Sequence, residues 1–252
     1  MIYFIGAGPG DPELLTLKAK RVIDSADVII YAGSLVNPEV LVTCRKDAQI
    51  YDSAGMNLDE VLAVMLAAEA QGQLVARVHT GDPSIYGAIR EQIDVLEKKD
   101  ITYEVIPGVS SFVAAAAALG REYTLPSVSQ TVILTRRAGR TPVPEGEDIV
   151  SLAQHQATMV IFLSVGQIEK LVAELIQGGY DETTPVAVVS RATWSDQKIL
   201  VGQLNNIASQ VRAAGITRQA LVTVGEFLGD KFELSKLYDR YFSHGYRQGE
   251  TK

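Results

Sequence analysis

The sequence predicts an α/β protein folded as two domains. Three observations carry this. Short β-rich runs alternate with helical patterns along the whole chain, the mark of largely parallel strand pairing. The 252 residues suit two compact domains of about 100–150 residues each. A stretch holding Gly120 and Pro126 breaks the alternation near the middle. Domains are therefore expected at residues 1–119 and 128–252, with a linker at about 120–127.

Taken in order, Ile2–Ile5 is the first predicted strand. Asp11-Pro12 supplies an N-cap with proline at the first helical position, and Leu14, Leu15, Ala19, Val22 and Ile23 follow at helical spacing. Strands are predicted at Val28–Tyr31, Gln49–Tyr51, Leu74–Val78 and Tyr103–Ile106. Helices are predicted at Leu58–Ala70, Ile85–Leu96 and the alanine-rich Val109–Leu119. The second half opens with a strand at Gln130–Thr135 and a loop rich in Arg, Gly and Pro, Arg136–Gly146. A strand at Met159–Leu163, a helix at Ile168–Gln177, and strands at Val186–Val189, Lys198–Val201 and Leu221–Val224 follow, with a helix at Leu204–Ala213. The two strands around Arg191–Gln197 are close enough to pair as a hairpin, so a mixed sheet is expected here. The aromatic and charged stretch Leu234–Arg247 has the composition of a docked tail.

Composition narrows the function classes. At 47% apolar and 21% charged the chain is an ordinary globular protein, and no run approaches the roughly 18–20 apolar residues of a membrane span. The opening MIYFIGAGPG lacks a basic n-region and a cleavage site, so it is expected to belong to the fold. A net charge of −7 argues against a nucleic-acid protein. With one cysteine, Cys44, and three scattered histidines, His79, His155 and His244, no disulfide and no metal site are expected. A reducing cytoplasm is the simplest placement.

Three loops follow strands and hold glycine, proline and small polar residues. They are Gly6-Ala7-Gly8-Pro9-Gly10-Asp11, His79-Thr80-Gly81-Asp82-Pro83-Ser84 and Pro107-Gly108-Val109-Ser110-Ser111-Phe112. Open α/β sheets bind ligands beyond the carboxyl ends of their strands. Each loop alone fits a capped tight turn; three at one sheet edge favour a ligand cleft. A dinucleotide fingerprint fits poorly, because the first loop runs G-x-G-x-G and Tyr31-Ala32-Gly33-Ser34 offers no acid for a ribose. His79 could serve as a general base or as a hydrogen-bonded structural residue. Arg136, Arg137 and Arg140 are either a solvated loop or a clamp for carboxylate or phosphate. Trp194, the only tryptophan, is compatible with packing at a core edge.

The same loops resemble the signatures of the uroporphyrinogen-III/precorrin methyltransferases. Gly6 to Thr16 resembles the first, Gly81-Asp82-Pro83 with Tyr86-Gly87 the second, and Pro107 to Ser111 the third. Pro185-Val186-Ala187 through Arg191-Ala192-Thr193 resembles the fourth. Tyr31–Val36, Tyr51–Met56, Arg121–Pro126, Thr135-Arg136-Arg137 and Ser235–Tyr238 look like the carbon-11 methyltransferases of that superfamily. Thr80 stands where the uroporphyrinogen enzyme usually has glycine, which points away from that branch.

The resemblance implies two α/β domains in the tetrapyrrole methylase fold with the cofactor cleft between them, and a homodimer. It implies S-adenosylmethionine as donor and precorrin-4 or its cobalt form as acceptor, in cobalamin biosynthesis. Cofactor contacts are expected at Gly8 and Pro9 in the first loop, at Thr80, Gly81 and Asp82, and at Ser111 and Phe112. Leu163, Ala192 and Ala220 are expected from the second domain. Leu163 stands where relatives often have methionine, and the change keeps an apolar wall. Ser34, Arg136, Arg137 and Arg140 are candidate substrate contacts. No catalytic residue is assigned, because an activated methyl donor and a nucleophilic ring carbon ask mainly for positioning. Rivals are another ring carbon, diphthine or a ribosomal RNA ribose in the same superfamily. Outside it stand a nucleotide- or tetrapyrrole-binding module and a nicotinamide oxidoreductase.

Overall fold

The computed structural model describes residues 1–251. The chain forms two compact units. Unit 1 comprises Met1–Ala115 and Arg191–Lys198; unit 2 comprises Ala116–Ser190 and Ile199–Lys252.

Unit 1 holds β1 (Ile2–Gly6), α1 (Leu17–Ser25), β2 (Val28–Tyr31), β3 (Gln49–Asp52), α2 (Leu58–Ala70), β4 (Val75–His79), α3 (Arg90–Glu97), β5 (Tyr103–Ile106) and the start of α4 (Ser111–Leu119). The strands form one parallel sheet in the order β3-β2-β4-β1-β5. Its inner strands β2, β4 and β1 are buried on both faces, as a covered parallel sheet requires, while the edge strand β3 is largely exposed. Ile5, Ile29, Ala76 and Val78 pack with Ala19 and Ile23 of α1. Ile2, Phe4, Val28 and Ile30 pack on the other face with Met65 of α2 and Leu96 of α3. Helix α2 begins at a capping box in which Asn57 and Glu60 exchange side-chain and backbone bonds.

Two predicted helices of this unit are shorter than their patterns. After the first loop, Pro12–Leu14 makes only a 3-10 turn and Leu15 is extended; Thr16 then caps α1 by accepting the Ala19 N–H at 3.1 Å. The helix expected from Ile85 starts at Arg90. Tyr86 and Ala88 lie in the left-handed region, with φ of 55° and 50°. Between them, a side chain at Gly87 would collide with the Pro83 carbonyl. The chain doubles back here, and helical backbone cannot do that.

Unit 2 holds β6 (Val132–Arg136), α5 (Ile149–Ala153), β7 (Thr158–Phe162), α6 (Ile168–Gln177), β8 (Pro185–Ser190), β9 (Lys198–Gln203, its first residue counted with unit 1), α7 (Leu204–Ala213) and β10 (Ala220–Val224). The sheet order is β6-β7-β10-β8-β9. β6 and β7 are parallel, and β10 runs antiparallel to both β7 and β8, so the sheet is mixed. Met159, Ile161, Val186, Val188, Val222 and Val224 project into a core with α5, α6 and α7. The five-residue α5 is too short for a periodic signal. Asp148 caps it by accepting the Ser151 N–H at 3.0 Å. Among the described residues no helix is long and apolar enough to cross a membrane.

Candidate functional site

In unit 1 the strand order puts β4, β1 and β5 side by side and parallel. Their carboxyl ends deliver the three glycine loops to one edge. The first two are stitched by a two-way backbone pair. Gly8 N–H donates to the Gly81 carbonyl at 3.2 Å, and Gly81 N–H donates to the Gly8 carbonyl at 2.8 Å. Gly8 and Gly81 sit at φ of 73° and 59°, which glycine adopts without steric cost. The third loop closes against both: a Cβ at Gly6 would stand 2.6 Å from the Gly108 Cα and from the Gly81 carbonyl oxygen.

Asp82 ties the second loop to the third. Its carboxylate accepts the Ser84 N–H at 2.8 Å, the Ser84 hydroxyl and the Gly108 N–H at 2.9 Å. Burial pushes this carboxyl up, but the bonds from Ser84 and Gly108 outweigh it and hold it below the ordinary aspartate value. Asp82 is therefore an anion that fixes loop shape. Gly8 and Pro9 are buried, while Thr80, Ser111 and Phe112 are half-buried along the same edge. Ser34 is exposed in the loop after β2, the other neighbour of β4.

His79 is enclosed. Its Nε2 has no hydrogen-bond partner, and burial, with the Arg77 charge second, lowers its pKa to about 3. The ring is therefore neutral near neutral pH, a buried residue packed behind the loop. Two residues back, buried Arg77 donates from Nε to Gln92 Oε1 at 3.2 Å. Its Nη1 donates to the Ile30 carbonyl at 3.3 Å and the Ser53 hydroxyl at 3.1 Å. Burial lowers its pKa to about 10, so it stays charged and pins the segments after β3 and β4.

The first loop has partners that sequence reasoning missed. The Trp194 indole N–H donates to the Pro9 carbonyl at 2.9 Å, and a side chain at Gly10 would collide with the indole ring. The Thr193 hydroxyl accepts the Asp11 N–H at 3.0 Å, and the Asn37 amide donates to the Gly10 carbonyl at 2.9 Å. The Arg191 guanidinium lies 4.1 Å from the Trp194 ring centroid and pairs with Asp196 at 2.9 Å. Ala192, expected from the second domain, is buried within unit 1 along with this segment. Nothing in local spacing relates position 194 to position 10; the only sequence signal was the solitary tryptophan itself.

In unit 2 the remaining candidates gather at one sheet edge. Register places Arg136 beside Phe162, and the antiparallel pairing of Val222 with Ile161 carries Ala220 to the Leu163 end. Leu163 is 70% exposed and left-handed, with φ of 54°, a strained and wetted leucine at a strand end. The arginines divide. Arg137 forms a fork on Glu174, at 2.7 Å and 2.6 Å, and also holds Gln167 at 2.8 Å. Arg136 donates to the carbonyls of Thr141 and Pro142 at 3.3 Å and 2.6 Å. Arg140 is exposed and has no ion pair among the described residues. Among the described residues no cluster of His, Cys, Asp or Glu could hold a metal ion.

Comparison with known proteins agrees with this geometry. Residues 1–208 match the family of Tetrapyrrole (Corrin/Porphyrin) Methylases. The cobalt-precorrin-4 C(11)-methyltransferase of Methanocaldococcus jannaschii is 58% identical over 252 residues, covering 100% of this chain and 97% of that one. A solved cobalamin biosynthetic enzyme, cobalt precorrin-4 methyltransferase, superposes with a TM-score of 0.88 at 44% identity, over 91% of this chain and 96% of that one. Uroporphyrin-III C-methyl transferase from Thermus thermophilus, complexed with S-adenyl homocysteine, gives a TM-score of 0.74 at 27% identity, over 90% and 93% of the two chains. By its matched motifs, its fold and its full-length relative, the chain belongs to the tetrapyrrole (corrin/porphyrin) methylases.

Proposed function

We propose that this protein transfers a methyl group from S-adenosylmethionine to carbon 11 of precorrin-4, in its cobalt form, during assembly of the corrin ring of cobalamin. The observation that carries the reading is the 58% identity, along the whole chain, with an enzyme named for that reaction. The glycine loops of unit 1 support the donor assignment, since a relative of the same fold is complexed with S-adenyl homocysteine. Gly8, Pro9, Thr80, Gly81, Asp82, Ser111, Phe112, Leu163, Ala192 and Ala220 are its proposed contacts, and Ser34 and Arg140 those of the substrate, since Arg137 is held by Glu174 and Arg136 by backbone carbonyls. The resemblance supports a homodimer, and the lone Cys44 suits the reducing cytoplasm.

Bound S-adenosylmethionine supplies an electrophilic methyl on a sulfonium. The protein's share is geometric. The Gly8–Gly81 pair and the Asp82 carboxylate hold three loops rigid before binding, so little ordering remains to oppose it. Cationic side chains set the register of a substrate rich in carboxylates.

Two measurements test the reading. Purified protein given S-adenosylmethionine and cobalt-precorrin-4 is expected to yield a product heavier by one methylene, with the new methyl at carbon 11 by NMR. A methyl at another carbon, or turnover only with the metal-free ring, overturns the substrate assignment. Asp82→Ala, by freeing the second loop from the third, is expected to weaken S-adenosylhomocysteine binding at least tenfold in calorimetry while circular dichroism stays native. Unchanged affinity removes Asp82 from the site.

A further inference from the structure

We propose that residues 231–250, the tail of unit 2, form a binding surface for the tetrapyrrole substrate; this rests on the function proposed above. The tail is a built element. The Arg247 guanidinium donates to the carbonyls of Leu237, Asp239 and Phe242 at 2.8, 2.7 and 3.4 Å. An antiparallel bridge joins His244 and Arg247. Gly249 N–H donates to the Ser243 hydroxyl at 2.9 Å and Glu250 N–H to the Arg240 carbonyl at 2.9 Å. Ser235 caps a 3-10 turn at Lys236–Tyr238. At its root, Arg121 pairs with Asp230 at 3.2 Å and Glu233 N–H reaches the Pro126 carbonyl at 3.4 Å.

This closed backbone presents its apolar side chains outward. Leu234, Leu237, Tyr238, Tyr241, Phe242 and Tyr246 are all exposed, Tyr238 at 83% and Tyr246 fully. A cluster of this size on an ordered segment marks a contact surface. Its chemistry selects the occupant. Lys236 and Arg240 flank Tyr238, with Asp239 beside it, and Lys231, Lys236 and Arg240 have no ion pair among the described residues, leaving these cations open to an anionic ligand. A tetrapyrrole offers a flat apolar ring for tyrosine to stack on and peripheral carboxylates for lysine and arginine. A second copy of the chain fits less well. Charge interrupts the apolar positions throughout Ser235–Arg247, so no continuous apolar core forms such as a permanent interface needs. The tail also lies beyond the residues matched to the family at large, 1–208, yet within the span shared with the 58% identical relative. That is the place for a determinant of one substrate rather than of methyl transfer in general.

The test uses two double variants of the full chain, Tyr238→Ala with Tyr246→Ala, and Lys236→Ala with Arg240→Ala. All four side chains are exposed, so both variants keep their fold. With cobalt-precorrin-4 as substrate, each is expected to raise KM at least tenfold, with kcat within twofold and S-adenosylhomocysteine affinity unchanged. Unchanged KM in both variants overturns the proposal. So does a halved mass in light scattering at unchanged KM, which makes the tail a contact between copies. Should the wild type leave cobalt-precorrin-4 unmethylated, the function proposed above fails, and the tail is judged by fluorescence titration with uroporphyrin III. Binding weakened tenfold in the variants then supports the surface; equal binding, or none by the wild type, overturns it.

Discussion

Asp82 and His79 show how burial and bonding pull two neighbouring titratable groups in the same direction with opposite consequences for charge. Asp82 is kept ionised by donors from Ser84 and Gly108. His79 is kept neutral because burial disfavours the charged ring, with the nearby Arg77 charge second. The histidine has a measurable signature in stability. Its pKa is about 3 in the folded chain and 6.5 when exposed, so between these values the unfolded chain binds more protons. Stability from this group is therefore full above pH 6.5 and is lost as pH falls toward 3, at up to about 1.4 kcal/mol per pH unit. His79→Gln is expected to flatten the decline of the denaturation midpoint between pH 6.5 and 4. An identical pH profile in the two proteins shows that the ring is solvated and titrates normally.

At the scale of elements, the segment after β6 divides its arginines between structure and surface. The Arg137 fork on Glu174 ties the strand end to α6. Arg137→Ala is expected to lower stability by roughly 1–3 kcal/mol, since it strands a shielded carboxylate. Its effect on substrate KM should be small. Arg140, exposed and without an ion pair, is the arginine of the three left able to meet a substrate carboxylate. Arg140→Ala is expected to leave the denaturation midpoint unchanged and raise KM for the tetrapyrrole about tenfold. If kinetics show wild-type dependence on substrate, this loop is a solvated turn. The sequence placed all three arginines after a strand; Arg137 and Arg140 do follow it, while Arg136 is the last residue of β6. It could not say which had partners, because Glu174 lies 37 positions away and is brought close only by the packing of α6.

At the scale of the whole molecule, the two units are not consecutive stretches of chain. Arg191–Lys198 leaves β8 and packs with the loops of unit 1, where Trp194 closes on Pro9 and Gly10. Half-buried Trp194 gives up apolar contact if truncated, which costs roughly 1–3 kcal/mol. Trp194→Ala is expected to accelerate proteolytic cleavage within residues 191–198 at least tenfold and to weaken S-adenosylhomocysteine binding. Cleavage at the wild-type rate shows that Thr193 and Asp11 hold the segment without the indole.

The sequence by itself determined the strand runs, the spans of α2, α6 and α7, and the three glycine loops that the family motifs mark. Each of these is written in neighbours two to four residues apart, where side-chain periodicity and glycine conformation act directly. The tertiary structure alone decided where the second-loop helix begins, because Gly87 must pass close to the Pro83 carbonyl. It alone committed Arg137 to Glu174 and left Arg140 exposed. It alone set Trp194 on a loop 185 residues earlier in the chain. Such contacts have no local period to announce them. Chain closure over that distance costs entropy, and only the assembled packing of strands, loop and indole offsets it.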